Sequence, residues 1–427
     1  MRRPDRGRRF GDLVIDITPL RASRQFRLLM LGQVCSLLGN SFTAVAVPLQ
    51  VYLLTRSSLL VGVIGLVQAV PLLAGMLAGG ALADAMDRRR LLVITQLTLA
   101  LVGVGLALNA GAGRRGLWLV FPLIAASAAF TGLGGPARSA PIAAMVGPRL
   151  LPAASALNAT SHQLGAVAGP ALAGLLIAWA GLAAAYWVDV ASFLLQLVVL
   201  AMMRPIPPGQ DGRPAGLASV LEGLRYVRGQ PLLCGLLLID LNAMVFGMPR
   251  ALFPALGTGL FHGGADIVGL LYAAPGVGAL IGAATSGWVS RVQRTGLAVV
   301  AAVVLWGAAV AAFGLVRSLA VALVLLALAG FADVVSEVFR TTLMQLSAPD
   351  GLRGRVVALW QAQVTGAPKL GDAEAGAVAA VTTPQVSVVS GGLACIAGAI
   401  LLAWLVPQLR RTGTAGAPPP AAARAAP

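Results

Sequence analysis

Among the ionisable residues inside long apolar stretches of the chain, seven could carry protons or bind cargo: Asp240, Arg250, Asp333, Glu337, Lys369, Asp372 and Glu374. Charge in such a setting is costly and marks function unless a structural partner neutralises it. Asp333 and Glu337 are four residues apart, so on a helix they share one face. Two close carboxylates in a low-dielectric environment do not both ionise easily, which is the chemistry of a proton carrier. Arg340, three residues beyond Glu337, is the competing structural neutraliser. Lys369, the only lysine, stands three residues before Asp372 and can pair with it. Asp240 is about eight residues into its apolar run, or about 12 Å deep at 1.5 Å per residue. Arg250 follows ten residues later, too far to pair with Asp240 on one helix. Pro249 and Pro254 should break the helix there. Irregular backbone at that depth is tolerated only against protein or a water-filled cavity, so this stretch is expected to line a central cavity. Among uncharged polar groups, Asn40 cannot titrate, and Gln33, Gln50 and Gln68 either line the cavity or bridge helices. Asp189 and the lone His162 read as structural, and His262 belongs to a loop.

The solvent that surrounds these residues follows from composition. Of 427 residues, 58% are hydrophobic and 11% charged. A soluble domain is about half apolar and about a quarter charged. The deficit in charge leaves lipid as the surrounding medium, and twelve helices of about 20 apolar residues each fit the apolar content. The fold class is therefore all-α integral membrane. The runs place spans near 27–54, 59–81, 91–110, 117–135, 158–180 and 184–203, then 232–261, 266–289, 296–316, 319–339, 356–382 and 386–407.

The net charge of +16 raises the possibility of a nucleic-acid partner, but its distribution excludes one. Of 31 Lys and Arg, only Arg56, Arg114, Arg115 and Arg317 fall in odd-numbered loops, and Arg250 and Lys369 fall in spans. The remaining 25 lie in the tails and even-numbered loops, which places both termini in the cytoplasm of a plasma-membrane protein. The first apolar run is too long for a signal-peptide core, so no cleavage is expected. Cys35, Cys234 and Cys395 are far apart in apolar segments and read as buried thiols rather than metal ligands.

The organisation is an N-terminal tail (1–25), a six-helix bundle (26–203), a cytoplasmic linker (204–230), a second six-helix bundle (231–407) and a disordered tail (408–427). The linker opens with a Pro/Gly-rich stretch, 205–214. It ends in an amphipathic helix, where Leu217, Val220, Leu221, Leu224 and Val227 recur at helical spacing beside Glu222, Arg225 and Arg228. Two halves of equal topology place a substrate site between them. They echo each other weakly: Gly135-Pro136-Ala137-Arg138 after helix four has a partner in Val338-Phe339-Arg340 after helix ten.

Between helices two and three stands Gly80-Ala81-Leu82-Ala83-Asp84-Ala85-Met86-Asp87-Arg88-Arg89-Arg90. This segment resembles the loop signature of the major facilitator superfamily. The resemblance implies a cytoplasmic latch built from Gly80, Asp84 and Arg88, closing on the start of helix eleven near Arg355. The second half has only the degenerate Gly287-Trp288-Val289-Ser290-Arg291-Val292-Gln293-Arg294, with no aspartate. In helix five, Gly165, Gly169, Pro170 and Gly174 resemble the antiporter motif of the family's exporters, with Ala173 where those carry glycine. Gly165 and Gly169 give a smooth packing face, and Pro170 bends the helix. Ala46-Val47-Pro48-Leu49-Gln50, Thr55-Arg56-Ser57-Ser58, Val61-Gly62, Gln361-Ala362-Gln363-Val364-Thr365-Gly366, Gly371-Asp372 and Thr383-Pro384 resemble the enterobactin exporter group. Its relatives often carry an acid at the position of Asn40, so a proton role there is lost.

Together these readings imply a proton-driven exporter of a small, siderophore-like organic molecule, acting as a monomer without cofactor or metal. A broad multidrug exporter and a non-transporting receptor on the same fold remain open. No zinc pair, nucleophile triad or GxxxxGK[ST] loop appears, which argues against an enzyme and against direct use of ATP.

Overall fold

Short polar side chains start several of the helices. The hydroxyl of Ser23 accepts from the amide of Phe26 (3.2 Å), that of Ser57 from Leu60 (3.4 Å) and that of Thr383 from Val386 (3.2 Å), while the Asp87 carboxylate accepts from Arg90 (3.1 Å). Each satisfies an amide that a helix leaves without an internal partner. The computed structural model describes residues 16–139, 142–204 and 217–412, and no strand occurs among them. The tail before residue 16, the Pro/Gly-rich stretch 205–214 and the tail beyond 412 lie outside the described residues.

In the first half the helices are α1 (Arg24–Thr55), α2 (Ser58–Ala85), α3 (Arg88–Asn109), α4 (Leu117–Ser139), α5 (148–180), preceded by a short helical segment that Gly147 (φ 72°) breaks off, and α6 (182–202). Between α5 and α6, Gly181 adopts φ 84°, a left-handed conformation that glycine takes without strain and that ends one helix and starts the next. The linker helix, Leu217–Arg228, leads to α7 (Pro231–Phe246), α8 (Ala265–Thr285), α9 (Thr295–Leu315), α10 (Leu319–Ser347), α11 (Asp350–Val381) and α12 (Pro384–Leu405). Ten segments of the described residues are long and apolar enough to cross a membrane, one of them the 58-residue stretch that Gly181 divides. The polar α11 falls outside those ten, because Lys369, Asp372 and Glu374 lower its hydropathy despite its 32 residues. With α5 and α6 separated and α11 included, the count is twelve.

Several helices outrun their apolar cores. α10 continues to Ser347 rather than ending near 339, α11 begins at Asp350 rather than 356, and α5 reaches back well before 158. Apolar windows mark the lipid-crossing part only, whereas main-chain hydrogen bonding carries a helix on into polar flanks. The consequence for Arg340 is large. Counted from the sequence among loop residues, it lies inside α10 and is 1% exposed.

The two halves pack alike. α2 lies on α4 as α8 lies on α10, and the halves meet where α2 crosses α11 and α5 crosses α8. Trp179, Val381 and Val70 are 88%, 84% and 74% exposed, large apolar side chains on the surface of a chain whose solvent is lipid.

Candidate functional site

α7 supplies the first wall of the site. It runs regularly to Phe246, stops at Gly247 and resumes as a single irregular turn at Arg250. Pro249 has no amide to donate, and the Gly247 carbonyl accepts instead from the Trp306 indole of α9 (2.8 Å). The break turns Arg250 outward into a cavity of about 190 Å³. Asp333 and Glu337 of α10, Tyr272 of α8, Trp306 of α9 and Gln163 of α5 line the same space. The cavity therefore sits in the second half and opens against the first through α5.

Behind it lies a network of buried charge. Arg340 pairs with Asp240 of α7 at 2.9 Å and reaches Asp333, two turns earlier on its own helix, at 3.9 Å. Its guanidinium also donates to the Ser336 hydroxyl (3.1 Å). The second oxygen of Asp240 accepts from the Gln363 amide of α11 (2.9 Å), and that amide also donates to the Leu237 carbonyl (2.9 Å). Asp240 and Arg340 are 0% and 1% exposed, while Asp333 keeps a partly open side toward the cavity. One guanidinium thus bridges a sealed carboxylate and a cavity-facing one, with α7, α10 and α11 all tied to it.

The other sequence candidates divide around this centre. Among the described residues, Arg250 and Glu337 form no ion pair, so Arg340 serves Asp240 and Asp333 rather than Glu337. Lys369 and Asp372 do not form the ion pair their spacing allows, and one oxygen of Asp372 accepts from the Ala251 amide (3.1 Å), holding α11 to the broken end of α7. Glu374 is half-buried and forms no ion pair among the described residues. Gln50 is buried and accepts from the Tyr186 hydroxyl (2.6 Å), bridging α1 and α6 away from the cavity. Asn40 lies within reach of the Ser36 hydroxyl (3.5 Å), and the His162 ring meets the Gln33 amide (3.1 Å). All three cysteines are free, and no metal cluster occurs among the described residues.

Glycines set how closely the halves approach. A Cβ on Gly62 of α2 would lie 2.6 Å from the Asp372 carbonyl oxygen of α11, and one on Gly174 of α5 would lie 2.6 Å from the Ala265 carbonyl oxygen of α8. Both crossings are near the helix ends remote from the chain termini, so that end of the molecule is shut. At the terminal end, no hydrogen bond or ion pair joins Asp84 to Arg355. Asp84 is exposed and faces Arg88 at 3.9 Å, and Arg355 pairs with Glu222 of the linker helix.

The sequence that builds this architecture matches a known family. The description of the transmembrane secretion effectors fits residues 15–419. The chain belongs to that family, a branch of the major facilitator superfamily. It is 31% identical over 398 residues to the enterobactin exporter of Citrobacter koseri, covering 93% of this chain and 95% of that protein. The enterobactin exporter of Shigella boydii matches with the same identity and coverage. Among solved structures, a bacterial homologue of the iron transporter ferroportin in an inward-facing state superposes with a TM-score of 0.70 at 17% identity, covering 91% of this chain and 99% of that one. A POT family transporter in complex with 5-aminolevulinic acid gives 0.71 at 12% identity, covering 91% and 97%.

Within this secretion effector the loop motif does several jobs. Asp87 caps α3, and Arg89 donates to the carbonyls of Leu200 (2.6 Å) and Ala201 (2.9 Å), closing the end of α6. Gly80 is buried where α2 approaches its neighbours. In α5, Gly165 and Gly169 sit against Leu37 and Ser41 of α1, and Gly174 meets α8, with Pro170 between the two contact zones. Sequence reasoning missed Arg340 and Gln363 as partners of Asp240. The only local hint for Arg340 was the helical periodicity of Val335, Phe339, Leu343 and Met344, which carries α10 past it.

Proposed function

We propose that this transporter exports a siderophore-like organic molecule from the cytoplasm by proton antiport. The halves 26–203 and 231–407 rock about the cavity, the protein acts as a monomer in the plasma membrane, and both termini are cytoplasmic. The observation that carries the reading is the pairing of a cavity-facing acid, Asp333, with a sealed one, Asp240, through a single arginine. Such a set can pass charge compensation from one carboxylate to the other as a proton or a cargo group arrives. The near-full-length similarity to enterobactin exporters supports the cargo class. At about 190 Å³ the cavity is smaller than the roughly 300–1,000 Å³ of typical small-molecule sites, so loading requires the halves to move apart. The shut remote end and the separated Asp84 and Arg355 support a state that faces the cytoplasm.

The test is uphill efflux of enterobactin from proteoliposomes under an imposed proton gradient. Asp240→Asn and Asp333→Asn are expected to abolish gradient-driven movement and retain downhill exchange. Variants that concentrate cargo as well as the parent would remove both acids from the coupling path. A parent that moves enterobactin neither uphill nor downhill would remove the cargo class.

A further inference from the structure

Asp189 of α6 is a buried acid that the network around Arg340 does not use. It is 2% exposed, and it is the one acid of the first half placed away from a helix end. Its Oδ2 accepts the hydroxyl of Thr43 on α1, whereas Oδ1 is buried with no hydrogen-bond partner. Ser192 gives its hydroxyl to the Asp189 main-chain carbonyl (2.7 Å). Across from it stands Gly39, where a Cβ would lie 2.6 Å from the Ser192 Cβ and 2.8 Å from Oδ1, so the glycine makes room for the Ser192 side chain first and for the carboxyl group beside it.

Among the described residues no cation forms an ion pair with it. α1 carries no charge between Arg27 and Arg56, and Arg27 is twelve residues from Gly39, about 18 Å along the axis. α3 is uncharged from Leu91 to its end at Asn109, and α4 is uncharged from Leu117 to Ala137. On α6 itself the other titratable group is Tyr186, whose hydroxyl is committed to Gln50. On α1 Cys35 is a neutral thiol, and the His162 ring of α5 is bonded to Gln33, six residues from Gly39 toward the termini. An ionised carboxylate sealed in a span without a counter-charge is strongly disfavoured. A neutral carboxyl fits the contacts among the described residues: Oδ2 is the acceptor that Thr43 requires, and Oδ1, beside the Ser192 hydroxyl that is given to the main-chain carbonyl, is free to bear a hydrogen.

We propose that Asp189 is a proton-binding site of the N-terminal half, protonated on Oδ1 in this conformation and released when the Gly39–Thr43 face of α1 moves away. It is a second proton site, independent of Asp240 and Asp333.

Infrared spectra of the full-length protein in lipid nanodiscs, compared in H₂O and D₂O, test this directly. The parent is expected to show the carbonyl band of a protonated carboxyl at neutral pH that Asp189→Asn lacks, fading as pH rises. Thr43→Val removes the donor that favours the ionised form, so its band should persist to higher pH. In thermal unfolding, the parent should lose stability as pH rises from about 4, where the unfolded carboxyl ionises, to the pH at which the band fades, and level off above it, a component that the difference between parent and Asp189→Asn isolates. Parent and Asp189→Asn spectra that superpose from neutral to alkaline pH would overturn the site. If Asp189→Asn does not fold, a Thr43→Val band that fades at the parent's pH does the same. Neither readout involves cargo or Arg340, so this result stands apart from that of the efflux test.

Discussion

Between α1 and α6 the buried polarity rests on hydroxyls: the Tyr186 hydroxyl on Gln50 and the Thr43 hydroxyl on Asp189. Between α7, α10 and α11 it is ionic, with one arginine serving two aspartates and a glutamine clamping one of them. The helices correspond by topology, yet among the described residues the ion pairs that join buried groups across helices lie in the second half. A neutral hydrogen bond loses little when a helix shifts, because each group remains uncharged. An ion pair that opens exposes two unpaired charges to a low-dielectric interior, so it either holds or is exchanged for a proton or a ligand group. The half with the cavity is the half that contains this second kind of contact.

The sharpest way to break the contrast is Arg340→Gln. Removing one partner of a buried pair destabilises by about 3–5 kcal/mol, so its unfolding midpoint in detergent should fall steeply. Adding Asp240→Asn to that variant should recover part of the loss. A single variant as stable as the parent would show that the pair is not sealed. A smaller effect is expected from Asp84→Asn, in the loop motif that only the first half carries in full. Transport should slow about tenfold at unchanged expression, the equivalent of one charge-assisted contact. Unchanged turnover would rule out a latch at Asp84. Tyr186→Phe, in the hydroxyl set, should lose about 1 kcal/mol by leaving the Gln50 oxygen unpaired. A loss as large as that of Arg340→Gln would erase the distinction between the halves. The smallest effect belongs to Glu222→Gln. Its pair with Arg355 is largely exposed, and surface pairs contribute about 0–1 kcal/mol, so thermal unfolding should barely move.

The membrane-spanning, all-helical fold was legible because lipid demands long apolar runs whatever the tertiary arrangement. The breaking of α7 was legible too, because Pro249 removes an amide irrespective of its neighbours. Arg340 was not, since charge near the edge of an apolar window looks the same in a loop as in the continuing helix. Nor was the environment of Asp189, which sequence alone reads as structural. Its distance from every cation depends on three other helices.

The sequence by itself determined that the chain is helical and membrane-spanning, and which residues carry charge into its apolar runs. Those properties are local sums over one stretch of chain. The tertiary structure decided which charges meet. It brought Asp240 to Arg340, a hundred residues away, set Asp372 on the Ala251 amide instead of Lys369, and left Asp189 without a cation. Spacing along a helix fixes only which side chains share a face. Whether they pair depends on the partner that a neighbouring helix brings closer, and helix packing alone sets that distance.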